Sequence, residues 1–481
     1  MCRIASFAGE KPEATGRLER RDHRACAMLP SLALVTFLAG LRWLEPPVPF
    51  EPTDVRYVRA RYAETFVHRD LEGRRPRAAT VARGTILVAR GFVPPSEGHV
   101  RCRGRGAYAI WPFGLVCADH VRPTETPPPA TTSSIDPLPY RYALVRADDT
   151  PAFEGEDAVR SGTPFRHLEK GMTLAVVGLR EIDGVRYVED VHGHLVAREA
   201  VAYLGGGSAF RGVFVGHLSP PKIAEWALLR RKHVVLRAAP DGTSKIVTKT
   251  RDRAAVRIVA EDPSGRMRIR LPDGTEGWVD RGKVARLSLP AALPEQVAER
   301  MAALGGPDRL RWIYVDLGRQ IAVAYVGERP MFATVVSSGA ANPTPRGLYP
   351  VWGSVATIDM DNQSYEDDAY MVQQVPWSVF FQGHNALHGA YWHDGFGRRR
   401  SHGCVNLPPS VALWIHRFVG PALPTGWTGY FPLPDRAPVV YVEDTSRPPR
   451  ARFVQDRPTG PPDPEEERRK AEEAAARRSA G

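Results

Sequence analysis

One cysteine, Cys404, stands in the run Ser401-His402-Gly403-Cys404-Val405-Asn406-Leu407, and eleven residues separate that run from the dipeptide His388-Gly389. The stretch between them also carries Tyr391, Trp392, His393, Gly395 and Gly397. A thiol ionises near pH 8.5, so at neutral pH it needs a base to become a nucleophile. A histidine in reach supplies that base, and backbone amides beside a glycine can hold the oxyanion formed when a thiolate attacks a carbonyl. Gly403 lets the chain pass close to such a carbonyl. A single cysteine is more often a small buried hydrophobe. Cys404, however, lies among polar residues and glycines, not in an apolar run.

The elements that must position these residues can be read on either side. Arg311 to Leu317, Gln320 to Tyr325 and Met331 to Val336 have the composition of strands, and Trp377-Ser378-Val379-Phe380-Phe381 leads into Leu387-His388. After the cysteine, Val411, Trp414, Ile415 and Phe418 recur at helical spacing behind Pro408-Pro409-Ser410. If that helix points its N-terminus at Cys404, its dipole favours the thiolate. A metal is a weaker reading: no CxxC or HExxH occurs, and His384, His388, His393 and His402 need not converge.

His388-Gly389 followed by Ser401-His402-Gly403-Cys404-Val405-Asn406 resembles the signature of L,D-transpeptidases with a YkuD-type catalytic domain. Asn342-Pro343-Thr344-Pro345-Arg346-Gly347 is similar to that family's Thr-Pro-x-Gly loop. The resemblance spans residues 309–433 and implies a β-sandwich with short helices that needs no cofactor and no metal. It implies that Cys404 is the nucleophile and His388 the base, with the other ring nitrogen oriented by the Gly389 carbonyl. Backbone N–H groups of His402, Gly403 and Cys404 would hold the oxyanion. Ser401 and Asn406 would hold the loop and line the substrate site with Tyr391, Trp392 and His393. The implied substrate is a peptidoglycan stem tetrapeptide. Cys404 attacks the carbonyl after the L-centre of diaminopimelate, D-alanine leaves, and an amine resolves the thioester. Two alternatives remain open: a secreted Cys-His carboxypeptidase that passes the acyl group to water, and a non-catalytic wall-binding protein.

The rest of the chain constrains the setting. A length of 481 residues exceeds one ordinary domain, and 44 prolines with 43 glycines favour turns and short strands over long helices. The net charge of +11 is spread among both signs, which argues against nucleic acid and is compatible with an anionic wall. Arg17, Arg20, Arg21 and Arg24 precede an apolar run from Met28 to Leu41, so residues 1–43 read as a signal peptide or membrane-anchor region. The expected location is the periplasm or cell envelope, as a monomer.

Residues 44–79 read as a linker, 80–123 as a small β module and 124–139 as a proline-rich linker. Residues 140–216 and 226–288 read as further β modules. The last of the three resembles bacterial SH3-like wall modules and the first two resemble them more loosely. The fold class expected is therefore mainly β, with two or three SH3-like barrels ahead of the catalytic domain. Residues 289–308 form a connecting helix, and 442–481, rich in Pro, Glu, Arg and Ala, read as a disordered tail. Cys102 and Cys117 lie within one module and, in an exported protein, are expected to pair as a disulfide. A fragment from Asp308 to Pro434 is expected to contain all the chemistry.

Overall fold

The computed structural model describes residues 49–73, 77–102, 104–129, 136–217, 220–287, 295–303, 310–340, 343–361, 370–447 and 453–479. The expected signal or anchor lies outside these residues. Among them, no helix is long and apolar enough to cross a membrane. The chain is mainly β.

Three β modules precede the C-terminal domain, and each closes the same way. Strand Leu115–Cys117, a 3₁₀ turn at Ala118–His120 and strand Val121–Thr124 end the first. His194–Ala197, Arg198–Ala200 and Val201–Tyr203 end the second. Glu276–Asp280, Arg281–Lys283 and Val284–Arg286 end the third. In every case the last strand pairs antiparallel with the first, as in Tyr57↔Thr124, Val145↔Val201 and Leu228↔Ala285. This joins the ends of each module around a core, to which the C-terminal domain adds Trp427 and Tyr430 in the first module and Met371 in the second. The first module begins earlier than its sequence suggested. Tyr57–Ala60 and Glu64–His68, placed in a linker, are two of its strands. Cys102 and Cys117 are joined as a disulfide in this module, closing a span of 15 residues.

The C-terminal domain is built on two sheets. The first contains β1 (Arg311–Asp316), β2 (Ile321–Val326), β3 (Arg329–Val335), β4 (Gly347–Pro350) and β10 (Val439–Glu443), in the order β3-β2-β1-β10-β4. The second contains β5 (Gly353–Asp361), β6 (Met371–Gln382), β7 (Asn385–Gly389), β8 (Val405–Leu407) and β9 (Trp427–Tyr430). Helix α1 (Pro409–Val419) follows β8 and packs on β6 and β7.

Strand β1 is apolar from Trp312 to Val315 because both of its faces are buried there. Ile313 and Val315 join the core shared with Phe381, Leu387, Val405 and α1. Trp312 and Tyr314 turn to the other side, where helix Glu295–Ala303 supplies Val297 and Met301 and the third module supplies Leu228 and Ala285. The Trp312 indole N–H, fully buried, donates to the Gly327 carbonyl at 2.6 Å and so stays satisfied.

Two expectations about the C-terminal end are corrected. Strand β10 lies beyond residue 433 yet is an interior strand, pairing parallel with β1 and antiparallel with β4. The segment read as a disordered tail runs along the domain and ends in helix α2 (Pro464–Ser479). Arg346 grips Asp456 with two nitrogens at 2.9 and 3.0 Å. Gln455 accepts from the Leu348 N–H at 3.0 Å, and Gly383 N–H donates to the Gly460 carbonyl at 2.9 Å. A composition that cannot form a core alone is held here by the backbone edges of folded neighbours.

Candidate active site

Strands β7 and β8 run parallel, with His388 opposite Asn406. Neighbours in register on parallel strands present their side chains to one face, and successive residues alternate. Cys404 stands just before β8, two positions from Asn406, and so falls on the face that carries His388. The two halves of the sequence motif are brought together by a short parallel pairing. His388 is buried, whereas Cys404 is partly exposed and is the free cysteine among the described residues.

The loop that carries the thiol is held on all sides. Ser401 Oγ donates to the Cys404 carbonyl and accepts from the Gly403 N–H at 3.2 Å. Thr344 Oγ1 donates to the Gly403 carbonyl at 2.7 Å while accepting from the Gly339 N–H at 3.0 Å. Ser337 and Asn406 exchange backbone bonds of 3.0 and 2.8 Å. Gln320 clamps Ser338 through its backbone N–H at 2.9 Å and its hydroxyl at 2.6 Å. Gly403 has φ of +138°, a conformation side chains resist, so the turn before the cysteine requires glycine.

The resting protonation state is a neutral pair. Burial lowers His388 to about 4, opposed only by the nearby Gly389 carbonyl, which favours the protonated ring. Nδ1 nevertheless makes no hydrogen bond of normal geometry. Burial pushes the Cys404 thiol up to about 11, with the Ala386 backbone N–H acting the other way. Its S–H is directed at the His384 carbonyl, 3.6 Å away. Helix α1 forms where the sequence placed it, but three residues of β8, about 10 Å of strand, separate it from the thiol. Burial, not a helix dipole, sets this cysteine.

The neighbouring ring residues have distinct positions. Trp392 lies over His388 with ring centroids 5.8 Å apart and planes at 26°. Gly395 N–H donates to His393 Nδ1 at 3.1 Å, and His393 Nε2 lies 2.9 Å from Asn406 Nδ2. His393 too is lowered to about 4, by burial first and then by Arg400. His402 is exposed and stacks on Tyr370 with centroids 5.4 Å apart.

Tyr391 departs from expectation. It is 1% exposed and cannot wall a substrate site. It stacks on Tyr142 of the second module at 3.6 Å. Its hydroxyl donates to the Gln373 carbonyl at 2.7 Å and lies 2.7 Å from Thr173 Oγ1. Tyr142 in turn donates to the Gln374 carbonyl at 2.8 Å. The second module therefore buttresses the residue next to Trp392. Tyr142, Thr173, Gln320, Ser337 and the His384 carbonyl were not singled out in the sequence. Nothing short of three-dimensional contact marks them, since they lie up to 262 positions from Cys404.

Among the described residues, the side chains grouped closely enough to hold a metal ion are His68 with Cys102 and Cys117, and Cys117 with Asp119 and His120. Both groups lie in the first module, away from Cys404, and Cys102 and Cys117 are bonded to each other.

No curated protein matches the chain. Among solved structures, a mutant L,D-transpeptidase from Enterococcus faecium is 23% identical, over 28% of this chain and 49% of that one, with a TM-score of 0.23. The chain thus spans about half the length of that protein. An L,D-transpeptidase from Stackebrandtia nassauensis is 22% identical over 32% of this chain and 66% of that one, at a TM-score of 0.22. One from Mycobacterium smegmatis is 15% identical over 50% and 89%, at 0.23. The family model of the YkuD L,D-transpeptidase catalytic domain matches residues 310–440, which contain both strands of the motif and every loop that braces it. Residues 310–440 are therefore an L,D-transpeptidase catalytic domain of the YkuD family.

Proposed function

We propose that this protein is a peptidoglycan L,D-transpeptidase that uses Cys404 as nucleophile. The observation that carries the reading is the free thiol of Cys404, just before the strand that pairs with that of His388, within a domain of that family. The neutral resting pair fits a reaction started by substrate. An acyl donor that enters displaces the S–H from the His384 carbonyl, and the neutral His388 ring takes the proton as sulfur attacks.

The donor is the carbonyl after the L-centre of diaminopimelate in a stem tetrapeptide. D-Alanine leaves with the proton that His388 holds, and an amine then resolves the thioester. The N–H of Gly403 already donates to Ser401 Oγ. The oxyanion donors are then the N–H groups of His402 and Cys404. His388 and Trp392 border the donor site, and Asn406 and His393 hold its floor. The disulfide between Cys102 and Cys117 supports an oxidising compartment, hence export to the cell envelope. The repeated strand, 3₁₀ turn and strand closure supports an SH3-like plan for the three modules.

Purified protein incubated with tetrapeptide muropeptides, followed by mass spectrometry, tests the reading. D-alanine release with cross-linked dimers is expected, and neither with Cys404→Ala. D-alanine release without dimers, even with excess amine, would make the protein a hydrolase. No turnover of any stem peptide would remove the reading.

A further inference from the structure

A groove of about 740 Å³ lies between the third module and the segment Ser208–Val213, within the size range of ligand sites. Its lining is mostly apolar, with Phe210, Trp226 and Leu271, and it also carries Arg211, Lys232, Arg253, Arg257 and Arg270. One carboxylate, Asp252, lines it with them. Some of these cations are already matched. Lys232 at 2.7 Å and Arg253 both engage Asp394. Arg257 meets Glu225 at 2.9 Å and Arg270 meets Glu276 at 2.6 Å. The lining itself thus holds five cations and one carboxylate, and of the carboxylates that pair with four of those cations Glu276 is shared with Arg268 at 3.4 Å, so positive charge is in excess. Arg211 is exposed and has no ion pair among the described residues.

Two further features say what shape of ligand fits. The groove borders Val213–Phe214, which pairs with β3 and forms the outermost strand of the first catalytic sheet. A strand at a sheet edge offers unpaired backbone groups to an extended peptide. The groove is also tied to the active-site loop. Arg253 donates to the Asp394 carbonyl at 2.6 Å, and Asp394 is adjacent to His393, which holds Asn406. A Cβ on Gly207 would lie 2.9 Å from the Ala390 carbonyl, so the residue just before the groove's first segment lies against the loop that bears Trp392.

We propose that this groove binds an extended acidic peptide of the wall polymer, a stem other than the one held at Cys404. This proposal rests on the transpeptidase reading for the identity of the polymer, not for the existence of the site. The excess charge meets a carboxylate, the edge strand pairs with the peptide backbone, and Trp226 with Phe210 packs small apolar side chains.

The test uses full-length Cys404→Ala, which cannot turn over, in co-sedimentation with purified insoluble wall sacculi. Arg211→Glu/Lys232→Glu is expected to lower retention at least about tenfold, which corresponds to about 1.4 kcal/mol. Sacculi stripped of peptides by an amidase should lose binding to the same degree. Arg180→Glu, exposed on the second module, should bind as the parent does. Arg211→Glu alone, at an exposed position without a described ion pair, keeps the test readable if the double variant does not fold. Undiminished binding by Arg211→Glu and the folded double variant would overturn the proposal, and so would equal retention on peptide-free glycan. Because binding is read without turnover, loss of the transpeptidase reading would show separately, as a wild type that never releases D-alanine.

Discussion

The thiol of Cys404 donates to the main-chain carbonyl of His384 at 3.6 Å, while the His388 ring, on the strand beside it, is lowered to about 4. The pair at rest is thiol and imidazole, not thiolate and imidazolium. Reactivity then depends on a substrate that displaces one hydrogen bond and accepts sulfur as the proton leaves.

Cys404→Ala should abolish D-alanine release, and Cys404→Ser should nearly do so, because a hydroxyl is far less acidic than a thiol and a neutral histidine activates it poorly. The resemblance also implies that a carbapenem acylates this thiol. Intact-mass spectrometry should show one adduct on the wild type and none on Cys404→Ala. An adduct that persists in the variant would place the nucleophile elsewhere.

His388→Ala should lower acylation by roughly 10²–10⁴-fold, the usual loss for a general base, with the melting temperature little changed. Trp392→Ala should act in the same direction but less, since the ring stacks on the base without replacing it. Single-turnover kinetics on a soluble tetrapeptide would measure both. A Trp392→Ala rate equal to wild type would mean the stacking has no part in placing His388.

The second module should matter to the chemistry. Tyr142→Phe keeps the stack on Tyr391 and loses the hydrogen bond to Gln374, at a cost of about 1 kcal/mol. Tyr142→Ala removes the ring and should cost about 3–5 kcal/mol, as large aromatic truncations do. Its acylation rate should also fall, measured below the melting transition. A fragment from 308 to 434 lacks both this buttress and β10, the interior strand beside β1. It should fail to fold or be inactive, contrary to the expectation from sequence. An active fragment would show that neither is needed.

Acid should destabilise the protein between pH 6.5 and pH 4. His68, His388, His393 and His416 are each lowered from 6.5 to about 4, chiefly by burial. Unfolded, these rings bind protons through that window, and folded they do not. The unfolded state therefore gains protons as pH falls, and the stabilisation present above pH 6.5 is lost on the way to pH 4. Urea midpoints measured across this range should fall steadily. A flat profile would mean the four rings protonate within the folded state.

The juxtaposition of Cys404 and His388 was legible because a motif packs cysteine, histidine and glycine into a single stretch of chain. The strands around it were legible from their apolar runs. Of its supports only the loop of Thr344 showed in the sequence; Gln320, Tyr142 and the His384 carbonyl act through contacts that no local pattern encodes. Tyr391 was misread for the same reason: a tyrosine beside a tryptophan near a motif looks exposed until Tyr142 is seen to cover it. The linker over 44–79 hid two strands because its prolines and arginines border short strands whose partners lie downstream, as in Tyr57↔Thr124. The final segment misled by composition. Its order comes from Arg346, Leu348 and Gly383, not from a core of its own.

Ala79 pairs with Tyr430, so a strand near the start of the chain is completed by one made 351 residues later. Thr173 likewise meets Val372, and β1 waits for β10. Closing loops of this length is slow, and the contacts that reward it arrive last. The first two modules can close on themselves early, but the catalytic sheets cannot finish until Val439–Glu443 has been synthesised. Ser337 and Ser338, which brace the loop of Cys404, follow closely on β3 of that first sheet, so the frame around the loop is complete only when the chain is nearly full length.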